Sequence, residues 1–337
     1  MLTDTLTTPP QSPRITTPAP GPRLSFTRPL PPAKVHKAAA GEVLLTDAVR
    51  HNDHRFTVAA LWPRDRFLHH AGRDAPGDPM LLVETIRQAL IHLSHTYYGI
   101  PPGHPFLLST LYFDTDRQGL PAWRGAPLPV TVDVTCTPTT TAPRRFGMAL
   151  DAVMYVDGLA LGRAGMRWEV LDPQLYHLIR IRTTRSPADL ATDAAPRDPR
   201  PLAPREVGYA HEEHVLLAEG QERTGRDWWL HMNRDHPVLF DHESDHIPGM
   251  LLLEALRQAA HAAELPFRPS LDAATASYGA FGELDAPVRI SARLPGQGQR
   301  KAGAAVVEVT AVQGSAVLTS ARFGEASCPP GNGEEPS

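Results

Sequence analysis

The 337-residue chain lacks several features that would place it in a specialised class of protein. It has only two cysteines, Cys136 in a strand-like run and Cys328 near the end, so a structural disulfide is not expected. No apolar stretch is long enough to span a membrane, and the opening MLTDTLTTPPQS lacks the apolar core of a signal peptide. These absences predict a protein of the reducing cytoplasm with no membrane partner.

Strong charge and metal-binding motifs are also missing. The formal net charge is −4 at pH 7 and no run of Lys or Arg stands out, so nucleic acid is not a predicted partner. The stretch 234–250, RDHPVLFDHESDHIPGM, is rich in histidine and acids but matches no closed zinc motif. We therefore predict no metal and no cofactor, with a metal site in this stretch as the alternative.

Proline, in contrast, is abundant, and its 35 residues cluster in three regions of the chain. Pro-, Ser- and Thr-rich segments without hydrophobic periodicity are typical of disordered ends and linkers. The clusters predict a disordered N-terminus over 1–30, a linker over 183–204 and a disordered tail over 325–337. Two folded units, 31–182 and 205–324, remain between them.

The two units repeat the same sequence pattern. Residues 79–89 read PMLLVETIRQA and residues 249–259 read GMLLLEALRQA, at an offset of 170 (254 minus 84). Further upstream, EVLL at 42–45 matches HVLL at 214–217 with two residues of slippage. Hydrophobic pattern alone fixes apolar positions but not polar identities, so convergence does not explain the match. The polar residues that recur are Glu84, Arg87 and Gln88 in the first unit and Glu254, Arg257 and Gln258 in the second.

Each unit is predicted to hold one long apolar helix and five or six strands. In unit 1 Asp78 and Pro79 form a good helix start, and Gly99 marks the end. A helix that is apolar on most sides has to be wrapped by a sheet. The pattern therefore predicts an α+β fold of two tandem hot-dog units, in which an antiparallel sheet curls around a central helix, paired within one chain. Predicted strands lie at 42–49, 55–62, 105–114, 128–136, 145–156 and 159–170, then at 212–218, 227–232, 275–284, 286–293, 303–312 and 315–323, with the second helix at 248–264.

The recurring polar residues allow two interpretations. Positions i, i+3 and i+4 share one helix face, so Glu84 and Arg87 can pair with each other. One interpretation is a buried ion pair that orients the helix, because an unpaired buried charge is very costly. The other is a catalytic carboxylate and an anion-binding arginine that face a cleft.

The second helix resembles that of hot-dog dehydratases of fatty acid synthesis, on the stretch HIPGMLLLEALRQAA. That family has a histidine fourteen residues before the glutamate. Here Phe240 lies fourteen residues before Glu254, whereas His70 lies fourteen before Glu84. Simple dehydration is therefore not the main prediction, although a pair of His70 with Glu254 across the two units stays open.

Nearly the whole chain resembles the A-factor biosynthesis family of actinobacteria, the gamma-butyrolactone signal synthases. The resemblance is carried by VHKAAAGEVLLTD (35–47), RFTVAALWPR (55–64), DPMLLVETIRQA (78–89), GIPPGH (99–104) and DHIPGMLLLEALRQAA (245–260). It implies an acyltransferase that moves a 3-oxoacyl chain from acyl carrier protein to the hydroxyl of dihydroxyacetone phosphate.

The resemblance also implies which residues act. Glu254 would be the general base, Arg257 would hold the phosphate, and Glu84 would be their counterpart in unit 1. Backbone N–H groups of Gly249 and Met250 would stabilise the thioester oxygen. Further predicted substrate contacts are Arg87, Gln88, Gln258, His70 and His246. Lys37, Arg64 and Arg234 are weaker candidates for a phosphate, and His36 and Lys37 are interpreted as surface or strand-edge residues.

Other functions remain as alternatives. The chain could be a non-catalytic double hot-dog that binds an acyl thioester or a lactone, or a hot-dog dehydratase or thioesterase. No GxSxG motif is present and neither cysteine has a nucleophile's context, so direct transfer is favoured over a covalent acyl-enzyme. A homodimer is possible.

Overall fold

The fold comes from a computed structural model, which describes residues 23–70, 77–116, 118–121, 125–190, 198–220, 225–265, 267–294 and 305–325. Within these ranges, no helix is long and apolar enough to cross a membrane. The first half of the chain, unit 1, wraps six strands around one long helix. Its elements are β1 (Leu45–Arg50), β2 (Arg55–Trp62), α1 (Pro79–Tyr97), β3 (Phe106–Thr115), β4 (Leu128–Ala142), β5 (Arg145–Val156), β6 (Leu159–Leu171), α2 (Pro173–Thr183) and α3 (Pro187–Leu190).

Unit 2, the second half, repeats this order with shorter strands. Its elements are β7 (Arg200–Pro201), β8 (Leu217–Glu219), β9 (Asp227–Leu230), α4 (Gly249–Ala262), β10 (Ala273–Tyr278), β11 (Arg289–Arg293), β12 (Val307–Gln313) and β13 (Ala316–Phe323). β7 is the one strand of unit 2 without a counterpart among the described residues of unit 1.

All thirteen strands form one continuous sheet in the order β1-β2-β4-β5-β6-β3-β10-β13-β12-β11-β9-β8-β7. The two halves of this order correspond strand by strand: β1, β2, β4, β5, β6 and β3 of unit 1 match β8, β9, β11, β12, β13 and β10 of unit 2. The equivalent strands β3 and β10 meet in the middle as antiparallel neighbours, with Tyr112 opposite Thr275 and Leu111 opposite Ala276. This arrangement confirms the predicted α+β class and the pairing of two hot-dog units within one chain.

The central helices are buried almost all round, as their apolar sequences require. α1 packs on β3 and β6 of its own sheet, and α4 packs on β12 and β13. The Asp78 side chain caps α1 by accepting from the backbone N–H of Met80, so the predicted helix start is confirmed. α4 begins after Pro248 and has no side-chain cap.

The predicted strands are mostly found within a few residues of their observed ends. The largest differences are the ends of β4 and β10, predicted at 136 and 284 and found at Ala142 and Tyr278. Short 3-10 turns, at Ala40–Glu42 and Glu212–His214, also precede β1 and β8 where strand was predicted. Helices α2 and α3 were not predicted, although Asp172 caps α2 and Pro173 opens it, as Asp78 and Pro79 do for α1.

The predicted domain boundaries stay predictions. Residues 1–22 and 326–337 lie outside the described residues, so the expected disorder of both ends is not described by the structure. The predicted linker 183–204 contains α3 and β7, and β7 pairs with β8.

A glutamine on each central helix ties the start of its unit to that helix. Gln88 accepts from the Leu44 N–H at 2.8 Å and donates to the Glu42 carbonyl at 2.7 Å. Gln258 holds the equivalent backbone groups, the Leu216 N–H and the His214 carbonyl, at 2.8 Å each. Both amides are fully buried. The substrate contacts predicted for Gln88 and Gln258 stay predictions, while these backbone contacts give both residues a structural role.

Replacing either glutamine by alanine should therefore destabilise the fold. Each change leaves one backbone N–H and one carbonyl buried without a partner, at about 1–3 kcal/mol for each group. We expect Gln88→Ala and Gln258→Ala to lower the free energy of unfolding in urea by similar amounts of roughly 2–5 kcal/mol. The exposed Gln174→Ala should change it little, and losses below about 1 kcal/mol in both variants would contradict the role.

Candidate active site

The glutamate and arginine of each central helix form an ion pair, but the two pairs have different surroundings. On α1, the Glu84 carboxylate accepts from Arg87 at 2.8 and 2.9 Å and from Gln88 at 2.8 Å. The Lys37 ammonium lies 3.2 Å from the same carboxylate and 3.5 Å from Asp241 of unit 2. These four charged residues, Lys37, Glu84, Arg87 and Asp241, are called the open site below.

Asp241 connects the two units at the open site. Its buried carboxylate accepts from the backbone N–H groups of Ala38 and Ala39 at 3.1 Å each. Lys37 therefore lies between a carboxylate of its own unit and one from the other unit. The interpretation of His36 and Lys37 as surface or strand-edge residues is wrong, because Lys37 is buried and His36 is half-buried.

The second ion pair is enclosed on every side. Glu254 accepts from Arg257 at 2.9 Å, from the Tyr209 hydroxyl at 2.6 Å and from Gln258 at 3.2 Å. Arg257 also donates to Tyr209 at 2.7 Å and to both carboxylate oxygens of Asp78 at 3.3 and 3.4 Å. Asp78 is the residue that caps α1. The set of Asp78, Tyr209, Glu254 and Arg257 is called the closed site.

The two sites are equivalent in the duplication, and they differ in the partners that surround the glutamate and the arginine. Lys37 corresponds to Tyr209 at the offset of 172 (209 minus 37) that also relates Leu44 to Leu216, and each contacts the first oxygen of its glutamate. Pro248 corresponds to Asp78 at the offset of 170 (248 minus 78). The open site thus lacks the carboxylate that covers Arg257 in the closed site.

A cavity of about 1110 Å³ adjoins the open site, at the junction of the two units. Glu84, Lys37 and Arg87 line it, whereas Glu254 and Arg257 do not. Its volume and mixed lining are typical of a small-molecule site. The apolar lining comes from both units: Phe67, Leu90, Ile91, Phe106, Leu108, Trp168, Val238, Leu239, Phe240, Met250 and Leu284.

The N-terminus of α4 opens onto the same cavity. Pro248, Gly249 and Met250 line it, and no side chain caps the helix. Uncapped N–H groups at a helix N-terminus favour a negatively charged oxygen. Gly249 also packs closely against Tyr278, because a Cβ there would lie 3.2 Å from the tyrosine ring. The oxyanion contacts predicted for Gly249 and Met250 stay predictions, and both residues line the same cavity as Glu84 of the other unit.

An aspartate and a histidine precede α4 at the rim of the cavity. His246 Nδ1 lies 2.6 Å from an Asp245 carboxylate oxygen, and both residues line the cavity. Helix α2 holds Asp245 in place, since the Tyr176 hydroxyl and Arg180 Nε donate to it at 2.7 and 3.1 Å. Arg180 is itself fixed by Glu283. Neither side chain caps α4.

The charges around Glu84 and Asp245 shift the pKa of each carboxyl and so determine which group can act as a base. Burial would raise the pKa of Glu84, but Arg87 and Lys37 hold it well below its usual range. Glu84 is therefore an anion at neutral pH and a weak base. Partial burial would raise the pKa of Asp245, but the hydrogen bonds with His246 and Tyr176 lower it. An ionised Asp245 on Nδ1 leaves His246 Nε2 as the basic nitrogen of the ring.

A second imidazole lines the cavity beside Lys37. His36 has a left-handed backbone, φ +51°, at the position where unit 2 has Gly208 with φ +80°. Its Nε2 lies 2.8 Å from His95 Nε2, and His95 Nδ1 lies 2.7 Å from the Ile100 carbonyl. Because that carbonyl can only accept, His95 Nε2 has to accept from His36. Burial, with further contributions from His95 and Arg87, lowers the pKa of His36 to about 4.

The remaining predicted residues are scattered. His70 is half exposed and pairs with Asp65 at 3.1 Å, so its predicted substrate contact and its pairing with Glu254 stay predictions. Arg64 forms a double hydrogen bond with Glu42, at 2.7 and 2.9 Å, and Arg234 lines the cavity while it pairs with Asp285. Over the described ranges, no group of three or more His, Cys, Asp or Glu residues could hold a metal ion.

Comparison with known proteins places the chain in a family. The A-factor biosynthesis hotdog domain matches residues 20–172 and again residues 190–328. The chain belongs to this family. The double match agrees with the two units of the fold, and the resemblance inferred from the sequence is confirmed.

Relatives within the family share a name. A 2-oxo-3-(phosphooxy)propyl 3-oxoalkanoate synthase from Streptomyces virginiae is 36% identical over 79% of this chain and 88% of its own. A protein of the same name from Streptomyces coelicolor is 32% identical over 88% of this chain and 92% of its own. Among solved structures, the 12:0-ACP thioesterase from Umbellularia californica is 12% identical with a TM-score of 0.48, over 83% of this chain and 99% of that one.

The contrast between the two ion pairs predicts different costs for losing each arginine. Arg257→Met leaves two buried carboxylates without their cation, which should cost about 3–5 kcal/mol of unfolding free energy. Arg87→Met should cost less than half of that, because Lys37 still neutralises Glu84 and the Arg87 side chain is 19% exposed. Urea unfolding at neutral pH measures both. Equal losses would contradict the distinction between a closed and an open site, and the surface variant Arg163→Met should lose less than about 1 kcal/mol.

The depressed pKa values also predict an acid-sensitive fold. Asp78 and Glu84 have pKa values below their unfolded ones, because Arg257 acts on the former and Arg87 on the latter against the effect of burial. A carboxyl of this kind stabilises the fold above its unfolded pKa of about 4, and the contribution is lost as the pH falls further. The stability difference between the unaltered protein and Glu84→Gln should be constant above about pH 5 and shrink towards pH 3.5. A difference that grows on acidification would contradict this assignment.

Proposed function

We propose that this protein transfers a 3-oxoacyl group from a thioester to the hydroxyl of dihydroxyacetone phosphate. The product is the ester that the relatives' name describes, a 2-oxo-3-(phosphooxy)propyl 3-oxoalkanoate. The proposal rests on one observation above all: the cavity joins the cations Lys37 and Arg87, held by Glu84 and Asp241, to an uncapped helix N-terminus, an Asp–His pair and an apolar lining from both units. This combination suits an acyl chain at one end and a phosphorylated acceptor at the other.

The helix N-terminus and the Asp–His pair supply the chemistry of transfer. The thioester oxygen lies against the N–H groups of Gly249 and Met250, which stabilise the negative charge that develops on it. His246 Nε2 takes the proton of the acceptor hydroxyl while that oxygen attacks the thioester carbon. Asp245 orients the ring and stabilises its charged form. The carbon–sulfur bond then breaks, and His246 returns the proton to the departing thiolate.

The open site binds the phosphate of the acceptor. Arg87 uses Nε and Nη2 for Glu84, and no described side chain accepts a hydrogen bond from its Nη1. Lys37 provides a second cation next to it. A planar guanidinium and an ammonium together suit the oxygens of a phosphate. Glu84 has the role of fixing Arg87 and Lys37, in place of the catalytic role predicted from its sequence motif.

The closed site has the role of a structural brace in this proposal. Glu254 and Arg257 are saturated by Tyr209 and Asp78, and neither lines the cavity. Their predicted catalytic role is the alternative, and it requires the closed site to open. The stability and the activity of the same variants distinguish the two roles.

The dehydratase alternative is less well supported by the cavity. Phe240 lies at the position where the dehydratases have a histidine, and its side chain lines the cavity instead. A thioesterase would need water where the proposed acceptor binds, and the Nη1 group of Arg87, which no described side chain accepts from, suits a phosphate oxygen of the acceptor. We place the reaction in the cytoplasm, with acyl carrier protein as donor, and a homodimer stays a prediction.

The direct test is to incubate the purified protein with a 3-oxoacyl carrier protein and dihydroxyacetone phosphate and to follow the products by mass spectrometry. The ester phosphate, or the butenolide phosphate that forms from it, is the expected product. Free 3-oxo acid would indicate a thioesterase, and a 2-enoyl product from a 3-hydroxyacyl donor would indicate a dehydratase. Tight binding without turnover would favour the non-catalytic alternative.

His246→Gln should lower kcat by about 10²- to 10⁴-fold, because the variant keeps a polar side chain but loses the base. Asp245→Asn should also lower kcat, because an amide no longer stabilises the charged ring. The matched control is His54→Gln, which replaces an exposed histidine of the β1–β2 turn and should keep full activity. Unchanged turnover in His246→Gln, with the protein folded, would mean that another group is the base.

Lys37→Met should instead raise KM for dihydroxyacetone phosphate, because the variant removes the second cation beside Arg87.

A further inference from the structure

Helix α2 presents an apolar face to solvent at the rim of the cavity. Leu178 and Ile181 lie one turn apart and are 46% and 61% exposed. Only three other large apolar side chains among the described residues are exposed, Val153 at 38%, Leu159 at 65% and Val317 at 49%, and none of them is on a helix. Exposed apolar side chains that occur together on one surface are typical of an interaction site.

The opposite face of α2 belongs to the cavity. Tyr176 lines the cavity and donates to Asp245, and the buried Arg180 holds both Asp245 and Glu283. At 100° per residue, these two side chains project away from Leu178 and Ile181. A partner bound to the outer face of α2 therefore contacts an element that itself positions the Asp–His pair.

The charge of α2 indicates the kind of partner. The helix sequence, PQLYHLIRIRT, contains no acidic residue. Arg182 lies beside Ile181 on the exposed face, and within the part of the chain that the structure describes it forms no ion pair. An apolar pair flanked by an unpaired cation is complementary to an acidic surface with a few exposed apolar side chains.

We infer that α2 is the docking surface for the acyl carrier protein, a small acidic partner that delivers the thioester on a flexible arm. This inference rests on the proposed function, which requires such a donor. A patch of two apolar side chains and one cation is small, and it suits a transient complex rather than the extensive apolar interface of an obligate dimer. The rim position lets the arm of a docked carrier enter the cavity next to His246.

The test compares two donors that carry the same 3-oxoacyl group. One is the carrier protein thioester and the other is the pantetheine thioester, which has no protein surface. Leu178→Asp, Ile181→Asp and Arg182→Glu should each lower kcat/KM by tenfold or more with the carrier protein, mainly through KM. With the pantetheine thioester the same variants should stay within about twofold of the unaltered protein, since the cavity is unchanged.

Matched controls lie elsewhere on the surface. Leu159→Asp changes an apolar residue that is 65% exposed, and Arg55→Glu reverses an exposed charge on β2; both should behave as the unaltered protein does. Added salt should weaken turnover of the carrier thioester by the unaltered protein and have less effect on Arg182→Glu.

Each other outcome overturns a defined part of the inference. Equal losses with both donors would mean that α2 acts only through the structure of the site. Full activity of all three variants with the carrier protein would mean that it docks elsewhere. A change from dimer to monomer in Leu178→Asp, seen by sedimentation, would assign the face to a second copy of the chain. If the unaltered protein transfers neither acyl group, the proposed function is wrong and the assignment of α2 is wrong with it.

Discussion

A carboxylate buried in the middle of a helix has to be neutralised, and much of this structure follows from how Glu84 and Glu254 are neutralised. The arginine one turn later on the same helix supplies the first cation in both units. The remaining partners come from other segments: Lys37 for Glu84, and Tyr209 for Glu254. These contacts fix the segment that precedes each unit's first strand against its helix. They also bring groups of opposite units together at the junction of the sheet.

The structural difference between the two sites arises from very few residues. With a tyrosine in place of lysine and an aspartate in place of proline, the second ion pair is surrounded by partners and does not line the cavity. The aspartate is decisive, because it caps one helix and covers the arginine of the other at the same time. The proline at the equivalent position leaves both the helix N-terminus and Arg87 available to the cavity.

The sequence predicted the fold well because the fold depends on periodicity and on the repeat. The Asp78–Pro79 start of α1 and the twofold equivalence of the strands followed from local patterns. Helix α2 was missed, although Asp172 and Pro173 give the same signal, because its apolar residues on the solvent side obscure the usual amphipathic pattern. In the site, the family resemblance assigned the base to Glu254 of unit 2, and the equal motifs on the two helices do not reveal their different surroundings. One of the residues that distinguish the two sites, Tyr209, is offset by 172 where the helices are offset by 170, and its contact with Glu254 cannot be read from one sequence.

Fusion of the two units into one chain has a consequence for how such a protein can evolve. In a homodimer of identical hot-dog units, every substitution appears in both sites, so a residue that closes one site closes the other. A duplicated chain is free of that symmetry. The equivalent positions Asp78 and Pro248 can therefore hold different residues. The aspartate covers the arginine of one site, and the proline leaves the arginine of the other site beside the cavity. In the proposed function, stability and turnover, which usually compete for the same residues, belong to different ends of one interface.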